Sequence, residues 1–196
     1  MIFASHRINT IKHLKKTSKN YGVEIDLRDH KKKIILSHDP CKSGDSFVEF
    51  LKEYNHKFLI LNIKSEGIEL MALQVIKKFK IKNYFFLDCS FPSLVNLIKK
   101  GNKNIALRVS DYESFDNLIK MKNLIKWVWV DCFENIPLDV KKYNLIKKYK
   151  YKICLVSPEL HGRRIGNERF MNLIKKKKIK IDMVCTKEKF FKNWKF

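Results

Sequence analysis

The chain has 196 residues, of which 45% are hydrophobic and 12% aromatic, and it carries a formal net charge of +22. This composition excludes wholesale disorder because it supplies enough apolar surface for a core, and the length suits one domain spanning residues 1–196. Polar residues interrupt every apolar run well before the ~18 residues that a membrane span needs, and no secretory signal is recognisable. The five cysteines are widely spaced without a C-x-x-C pair, so we expect a cytoplasmic protein lacking disulfide bonds and zinc.

The positive charge is spread along the whole chain. Only six of the 42 basic residues are arginine, and the remainder are scattered lysines. Arginine makes the bidentate contacts by which proteins read nucleic acids, whereas lysine in excess attracts any polyanion. We therefore expect a small anionic substrate, attracted by the same field, and keep a nucleic-acid partner as a lesser alternative.

Nine short runs rich in β-branched and aromatic residues predict β-strands. Most of them do not alternate between apolar and polar residues, which is typical of strands covered on both faces of a parallel sheet. In chain order they are Ile2–Ser5, Gly22–Leu27, Lys33–Ser37, Phe58–Ile63, Tyr84–Asp88, Asn104–Arg108, Trp127–Asp131, Lys152–Val156 and Asp182–Cys185.

Amphipathic stretches between these runs predict helices, because their apolar residues recur at three- and four-residue spacing. The Ser110/Glu113 pair predicts a capping box at the start of one helix. The aromatic tail over 190–196 is expected to pack as a final helix rather than to dock on a membrane surface. The other predicted helices are Asp45–Tyr54, Glu66–Lys80, Pro92–Gly101, Leu138–Tyr149 and Asn167–Lys177.

This alternation of strands and helices predicts an α/β protein with a parallel sheet. Eight repeats favour a compact, distorted (β/α)8 TIM barrel, and the ninth strand must then be an extra one. The link between Leu27 and Lys33 is too short for a crossover helix, so we expect a hairpin there. A turn in this link would place Glu24 roughly opposite Ser37 or His38.

Candidate catalytic residues follow or lie on the early strands. Glu24 and Asp26 are two positions apart on a strand, so both side chains point to one face. Two such carboxylates repel each other unless a cation lies between them, and hard divalent ions prefer oxygen ligands. His6 and His38 are the groups whose ordinary pKa suits proton transfer near neutral pH.

Two basic residues accompany these groups. Arg7 follows His6 directly, and Lys64 is interior to the apolar run of a strand, where an ammonium group needs a nearby anion. Both could bind a phosphate group. The alternative is structural, with both bases pairing with Glu24 and Asp26 in a buried network.

These residues, taken in order, resemble the glycerophosphodiester phosphodiesterase family, the metal-dependent relatives of the phosphatidylinositol-specific phospholipases C. The matches cover nearly the whole chain, although each is short. The family's H-R-G is His6-Arg7-Ile8 here, N-T is Asn9-Thr10, E-x-D is Glu24-Ile25-Asp26, V-x-H-D is Leu36-Ser37-His38-Asp39, E-x-K is Asn62-Ile63-Lys64, S-F is Ser90-Phe91, and D-x-x-x-T is Asp182 to Thr186.

The resemblance implies a distorted TIM barrel that hydrolyses a small phosphodiester with a bound Mg²⁺ or Ca²⁺. It implies the following roles: metal ligation by Glu24, Asp26 and Asn62, acid/base catalysis by His6 and His38, and phosphate binding by Arg7 and Lys64. Asn62 replaces the family's third carboxylate, so one negative charge is lost and metal affinity should fall, unless Glu66 or Asp88 substitutes. A barrel that binds a phosphate ester without cleaving it is therefore the main alternative.

One later stretch is open to two interpretations. Residues 159–164, which read Glu-Leu-His-Gly-Arg-Arg, follow a predicted strand. They could bind a second anionic group of the substrate, or they could form an ordinary basic loop.

Overall fold

A computed structural model describes residues 1–162, 172 and 174–194. The chain forms two compact units: an N-terminal unit, Ser5–Ile105, and a C-terminal unit, which comprises Met1–Ala4 and Ala106–Phe196. Strand β1 (Ile2–Ser5) opens the chain. None of the helices in the described ranges is long and apolar enough to cross a membrane.

The N-terminal unit contains five strands and four helices. They are α1 (Ile11–Lys16), β2 (Gly22–His30), β3 (Lys33–Leu36), β4 (Asp45–Ser46), α2 (Phe47–Glu53), β5 (Phe58–Ile63), α3 (Glu69–Lys78), β6 (Tyr84–Leu87) and α4 (Phe91–Lys99). Within this unit the strand order is β4-β3-β2-β5-β6. Strand β2 pairs in parallel with β5, which in turn pairs in parallel with β6.

The predicted hairpin is confirmed, since β2 and β3 are antiparallel and His30 pairs with Lys33. The turn consists of Lys31 and Lys32, both in the left-handed region (φ +46° and +64°), as the tightest hairpin turns require. The expected register, with Glu24 opposite Ser37 or His38, is wrong by two residues or by one. Ser37 donates its backbone N–H to the carbonyl of Asp26 (3.0 Å) rather than lying opposite Glu24, because the turn is only two residues long.

The first six residues of β2 and all of β5 are buried, which explains why neither strand alternates between apolar and polar residues. Glu24 and Asp26 therefore lie in the interior, and both are fully buried. A buried carboxylate is costly unless other groups compensate its charge and hydrogen-bonding capacity. Side chains and backbone groups around β2 must therefore supply the compensating charges and hydrogen bonds.

The C-terminal unit contains the remaining elements of the described residues. They are β7 (Ala106–Val109), α5 (Asp116–Lys120), β8 (Trp127–Val130), α6 (Val140–Lys148), β9 (Lys152–Val156), β10 (Met183–Thr186) and two 3-10 helices, Pro158–His161 and Glu188–Trp194. Strands β7, β8, β9 and β10 are parallel neighbours in that order. Strand β1 lies beside β10.

The expected packing of the tail is confirmed for residues 190–194, whereas 195 and 196 lie outside the described residues. Trp194 is fully buried in the C-terminal unit and donates its indole N–H to the Ser157 hydroxyl (3.0 Å). Phe191 is 4% exposed and stacks on Phe3 with ring centroids 5.0 Å apart. The tail thus contributes core side chains to its unit, as expected of an amphipathic segment that packs rather than docks.

The α/β class is confirmed, and all nine predicted strands are present with ends shifted by up to three residues. The short elements α1 and β4 were missed. The Ser110 hydroxyl accepts the backbone N–H of Glu113 (3.1 Å), as a capping box requires, but this bond closes a turn and does not start a helix, because α5 begins only at Asp116. Much of the helix expected over 167–177 lies outside the described residues, and the closed barrel and the single domain stay predictions.

The close approach of Gly44 to β3 gives a first test of this fold. A Cβ at Gly44 would lie 2.1 Å from the Leu36 carbonyl oxygen, whereas Gly67 has φ +91° but open space around it. We expect Gly44→Ala to lower the urea midpoint of unfolding more than Gly67→Ala does. At position 44 the backbone must move to admit the new methyl group. At position 67 the alanine is only strained by its left-handed backbone conformation, which costs roughly 1–2 kcal/mol. Equal midpoints for the two variants would contradict the described packing of β3 against Gly44.

Candidate functional site

The residues expected to form the site all belong to the N-terminal unit. Strands β2 and β5 supply the centre, because their register pairs Asp26 with Asn62 and continues to Lys64, whose backbone N–H donates to the Leu27 carbonyl (2.8 Å). The other members come from the segment after β1 and from the loop after β3. The full set is His6, Arg7, Glu24, Asp26, His38, Asn62 and Lys64.

Glu24 is held by donors on both carboxylate oxygens. Its Oε1 accepts from the Asn62 side-chain amide (2.8 Å), and its Oε2 accepts from the Arg7 backbone N–H (2.7 Å). The His6 Nε2 lies 3.8 Å from Oε2. Burial, together with the neighbouring Asp26 charge, raises the pKa of Glu24 from 4.5 to about 7, although these hydrogen bonds act in the opposite direction. The resting site therefore resists carrying two full negative charges.

Asp26 is oriented mainly by Asn9. The Asn9 amide donates to Asp26 Oδ2 (2.7 Å), and its Oδ1 accepts the Asp26 backbone N–H (2.8 Å). Two cations are further away: Arg7 Nε is 3.9 Å from Oδ2, and Lys64 Nζ is 3.8 Å from Oδ1. Asn9 was matched only to a family motif, with no role, because a sequence does not reveal which carboxylate an amide will face.

His38 is linked to this centre through Arg7. The Arg7 Nη2 lies 2.6 Å from His38 Nε2, and His38 Nδ1 lies 2.8 Å from Asp39 Oδ1. A guanidinium group can only donate, so His38 Nε2 accepts, and its Nδ1 carries the proton that is donated to Asp39. The His38 hydrogen bond, and then Lys42 at 2.6 Å, lower the pKa of Asp39 to about 2. The structure thus selects one neutral tautomer of His38.

The backbone is strained at two positions of the site. Arg7 and Asp88 have φ values of +56° and +57°, in the left-handed region that residues with a Cβ usually avoid.

Asp88 lies 3.3 Å from Lys64 Nζ, and Glu66 accepts the Ser90 hydroxyl (2.5 Å). Glu66 and Asp88 thus have other partners, whereas the Asn62 side chain donates to Glu24 (2.8 Å). Asn62 is therefore the residue of these three that lies beside Glu24.

The residues present fit a divalent cation, although no group of three His, Cys, Asp or Glu side chains suited to a metal occurs in the described residues. Asp26 Oδ1 and Asn62 Oδ1 are both buried without a hydrogen-bond partner, and the two residues are paired across β2 and β5. An unsatisfied buried oxygen is costly, and a hard cation would satisfy both atoms. The competing arrangement uses Lys64 as the charge partner of Asp26.

The sequence-based prediction that the two acids and two imidazoles meet is consistent with this geometry. His6, with 17% of its side chain exposed, is beside Glu24, and His38 reaches Asp26 through the Arg7 guanidinium. Glu24, Asp26 and Asn62 are adjacent, with Lys64 close to Asp26. The chemical roles of all these residues stay predictions.

Comparison with known proteins supports the fold. No protein-family model matches the chain, and no curated protein sequence matches it. Its fold is similar to that of a solved glycerophosphoryl diester phosphodiesterase from Parabacteroides distasonis, with a TM-score of 0.64 and 14% identity over 93% of this chain and 81% of that chain. At this identity the similarity shows the fold alone, because one fold supports many functions.

The raised pKa of Glu24 predicts a pH-dependent stability in metal-free buffer. Folding favours its protonated form, so stability is lost as the pH rises from 4.5 towards about 7. We expect Glu24→Gln to weaken this loss and to raise the melting temperature in EDTA at about pH 8 by several degrees. The Asn62 amide can rotate so that its unpaired Oδ1 accepts from the new glutamine. Parallel melting curves against pH for wild type and variant would contradict the assignment.

Proposed function

We propose that this chain is a metal-dependent phosphodiesterase of the glycerophosphodiester phosphodiesterase type. Its substrate would be a small water-soluble phosphodiester, either a glycerophosphodiester or a sugar- or nucleotide-linked one. The observation that carries the proposal is the fully buried Glu24/Asp26 pair with two imidazoles and two fixed cations around it. The fold similarity to a solved phosphodiesterase supports it, and the proposal includes the closed TIM barrel and a cytoplasmic location.

Arg7 and Lys64 would bind the phosphoryl oxygens. Both are partly accessible, with 49% and 20% of their side chains exposed, so a ligand can reach them. A phosphodiester carries one negative charge, and more negative charge develops on the phosphoryl oxygens in the transition state. Lys64, beside Asp26, and Arg7, once its guanidinium turns from His38 to the phosphate, would stabilise that charge.

His38 would act as the general base. Asp39 holds its Nδ1 proton, so the Nε2 lone pair is directed towards Arg7. When the guanidinium turns to the phosphate, Nε2 is released and can accept the proton of the attacking oxygen. The attacking group would be a water molecule or a hydroxyl group of the substrate itself.

His6 would act as the general acid. Its Nε2 lies 3.8 Å from Glu24 Oε2, so a proton on this nitrogen would face the carboxylate. As the new P–O bond forms, the ester P–O bond breaks, and the leaving alkoxide takes the proton from His6. Attack by water gives an alcohol and a phosphomonoester, and the proton taken up by His38 balances the one released by His6.

Glu24, Asp26 and Asn62 would hold Mg²⁺ or Ca²⁺, which when bound withdraws charge from a phosphoryl oxygen and makes a ligated oxygen more acidic. Asn9 would keep Asp26 in position through its two hydrogen bonds. The ligand set carries two negative charges instead of three, because Asn62 is neutral. We therefore infer a weaker affinity than a three-carboxylate site would have.

A second candidate is a protein that binds a phosphate ester without hydrolysing it. The observation that favours it is the charge balance of the site: Asn62 donates to Glu24 (2.8 Å), and Lys64 lies 3.8 Å from Asp26. In this arrangement the carboxylates are compensated by protein groups, so no metal ion is required. Metal binding distinguishes the two candidates.

The first test is turnover of glycerophosphocholine and bis(p-nitrophenyl) phosphate with and without Mg²⁺ or Ca²⁺. We expect metal-dependent hydrolysis by the wild type and a loss of about 10²- to 10⁴-fold in His38→Ala and Glu24→Gln, because proton transfer or charge placement is removed. His13→Ala, an exposed histidine on α1, is the matched control and should keep full activity. Unchanged turnover in either site variant would reject the mechanism.

The second test uses Asn62→Asp and a thermal-shift titration with Ca²⁺. The new carboxylate would face Glu24, so we expect a lower melting temperature in EDTA, a larger rise with Ca²⁺ than in wild type, and roughly tenfold tighter binding. Asn102→Asp is the control, because Asn102 and Asn62 are both 7% exposed and lie in the same unit. An equal Ca²⁺ response in both variants would favour the binding protein.

A further inference from the structure

The C-terminal unit has a polar edge of its own. Strands β7 and β8 are followed by Ser110 (4% exposed) and Asp131 (3%), β9 is followed by the fully buried Ser157, and β10 ends at the fully buried Thr186. These strands are parallel neighbours, so their carboxyl ends lie at one edge. Ligands of open parallel sheets bind outside the carboxyl ends of the strands.

Asp131 organises the side chains at this edge. Its Oδ1 accepts from His161 Nε2 (2.5 Å) and the Cys132 backbone N–H (3.1 Å), and its Oδ2 accepts from Arg108 Nη1 (3.0 Å) and Trp129 Nε1 (3.2 Å). Four donors leave this carboxylate fully engaged. His161 must donate through Nε2, so its Nδ1 is the ring atom left to serve another partner.

Aromatic rings continue from His161 towards solvent. The His161 ring lies 4.6 Å from the Phe133 ring, which lies 6.2 Å from Tyr112. Tyr112 is 72% exposed, and its hydroxyl donates to Glu134 (2.5 Å). This row presents ring faces next to hydrogen-bonding groups, a combination typical of small-molecule sites.

The charge of the described residues at this edge argues against an anionic ligand. Arg108, with 27% of its side chain exposed, lies 3.0 Å from Asp131 and 3.9 Å from Glu113, so two carboxylates offset its charge. The adjoining Glu159 accepts the hydroxyls of Ser157 and Thr186. The described part of the edge thus has no surplus positive charge, and its carboxylate already binds hydroxyl groups.

We propose that this edge of the C-terminal unit binds a neutral polyhydroxylated ligand, a sugar or polyol. Phe133 and Tyr112 would contact the C–H face of the ligand, while His161 Nδ1 and Arg108 would bond its hydroxyls. Of the two interpretations of residues 159–164, the described contacts support a binding role but not an anionic ligand. Arg163 and Arg164 lie outside the described residues. The proposal does not depend on phosphodiester hydrolysis.

Saturation-transfer NMR on the full chain tests this, with glycerol, D-glucose and maltose as probes at roughly 10 mM, a concentration that detects millimolar affinity. We expect transfer to D-glucose or maltose, and a reduction of about fivefold or more in Phe133→Leu and His161→Gln. The glutamine introduced by His161→Gln would keep a donor to Asp131 but lose the second ring nitrogen, so this variant tests binding without unpairing the buried acid. Phe190→Leu, a half-buried phenylalanine of the same unit, should behave as wild type.

Glu24→Gln should also keep the sugar signal, which separates this proposal from failure of the phosphodiesterase proposal. No transfer to any of the three probes from folded wild-type protein would overturn it. So would undiminished transfer in Phe133→Leu, or displacement of the sugar by an equal concentration of inorganic phosphate, which would identify an anion site.

Discussion

The burial of two carboxylates side by side on β2 is the constraint on which the N-terminal unit depends. Glu24 and Asp26 are fully buried, and strand geometry directs both to one face. The loss of water on burial, together with repulsion from Asp26, raises the pKa of Glu24 to about 7. Asn62 and the Arg7 backbone N–H donate to Glu24, and Asn9 donates to Asp26, so these neighbours offset part of the cost of burying the two carboxylates.

The segment after β1 is shaped by this constraint. Arg7 adopts a left-handed backbone conformation that directs its N–H at Glu24 Oε2, and the next residue, Ile8, donates its N–H to the Glu24 carbonyl (2.8 Å). Asn9 then bonds Asp26 through both ends of its amide. Strain at Arg7 is thus offset by hydrogen bonds to a buried charge, and the same conformation brings its guanidinium to His38.

Much of this was accessible from the sequence, since uninterrupted apolar runs predicted the strands, and the two-residue spacing of Glu24 and Asp26 predicted their shared face. Other features depend on tertiary geometry. The register of the hairpin was missed because the left-handed Lys31–Lys32 turn carries no glycine or asparagine to mark it. Asn9 and Asp26 are 17 positions apart in the sequence, and Arg7 and His38 are 31 apart. Local sequence patterns do not predict contacts over such separations.

The central claim is that the buried carboxylate pair, together with Asn62, holds a divalent cation. The most direct measurement is a crystal structure of the protein soaked with Ca²⁺. We expect an ion within about 2.3–2.6 Å of oxygens from Glu24, Asp26 and Asn62, with Lys64 displaced from Asp26. Density that instead shows the Lys64 ammonium bonded to Asp26, and no ion between the two carboxylates at saturating Ca²⁺, would contradict it.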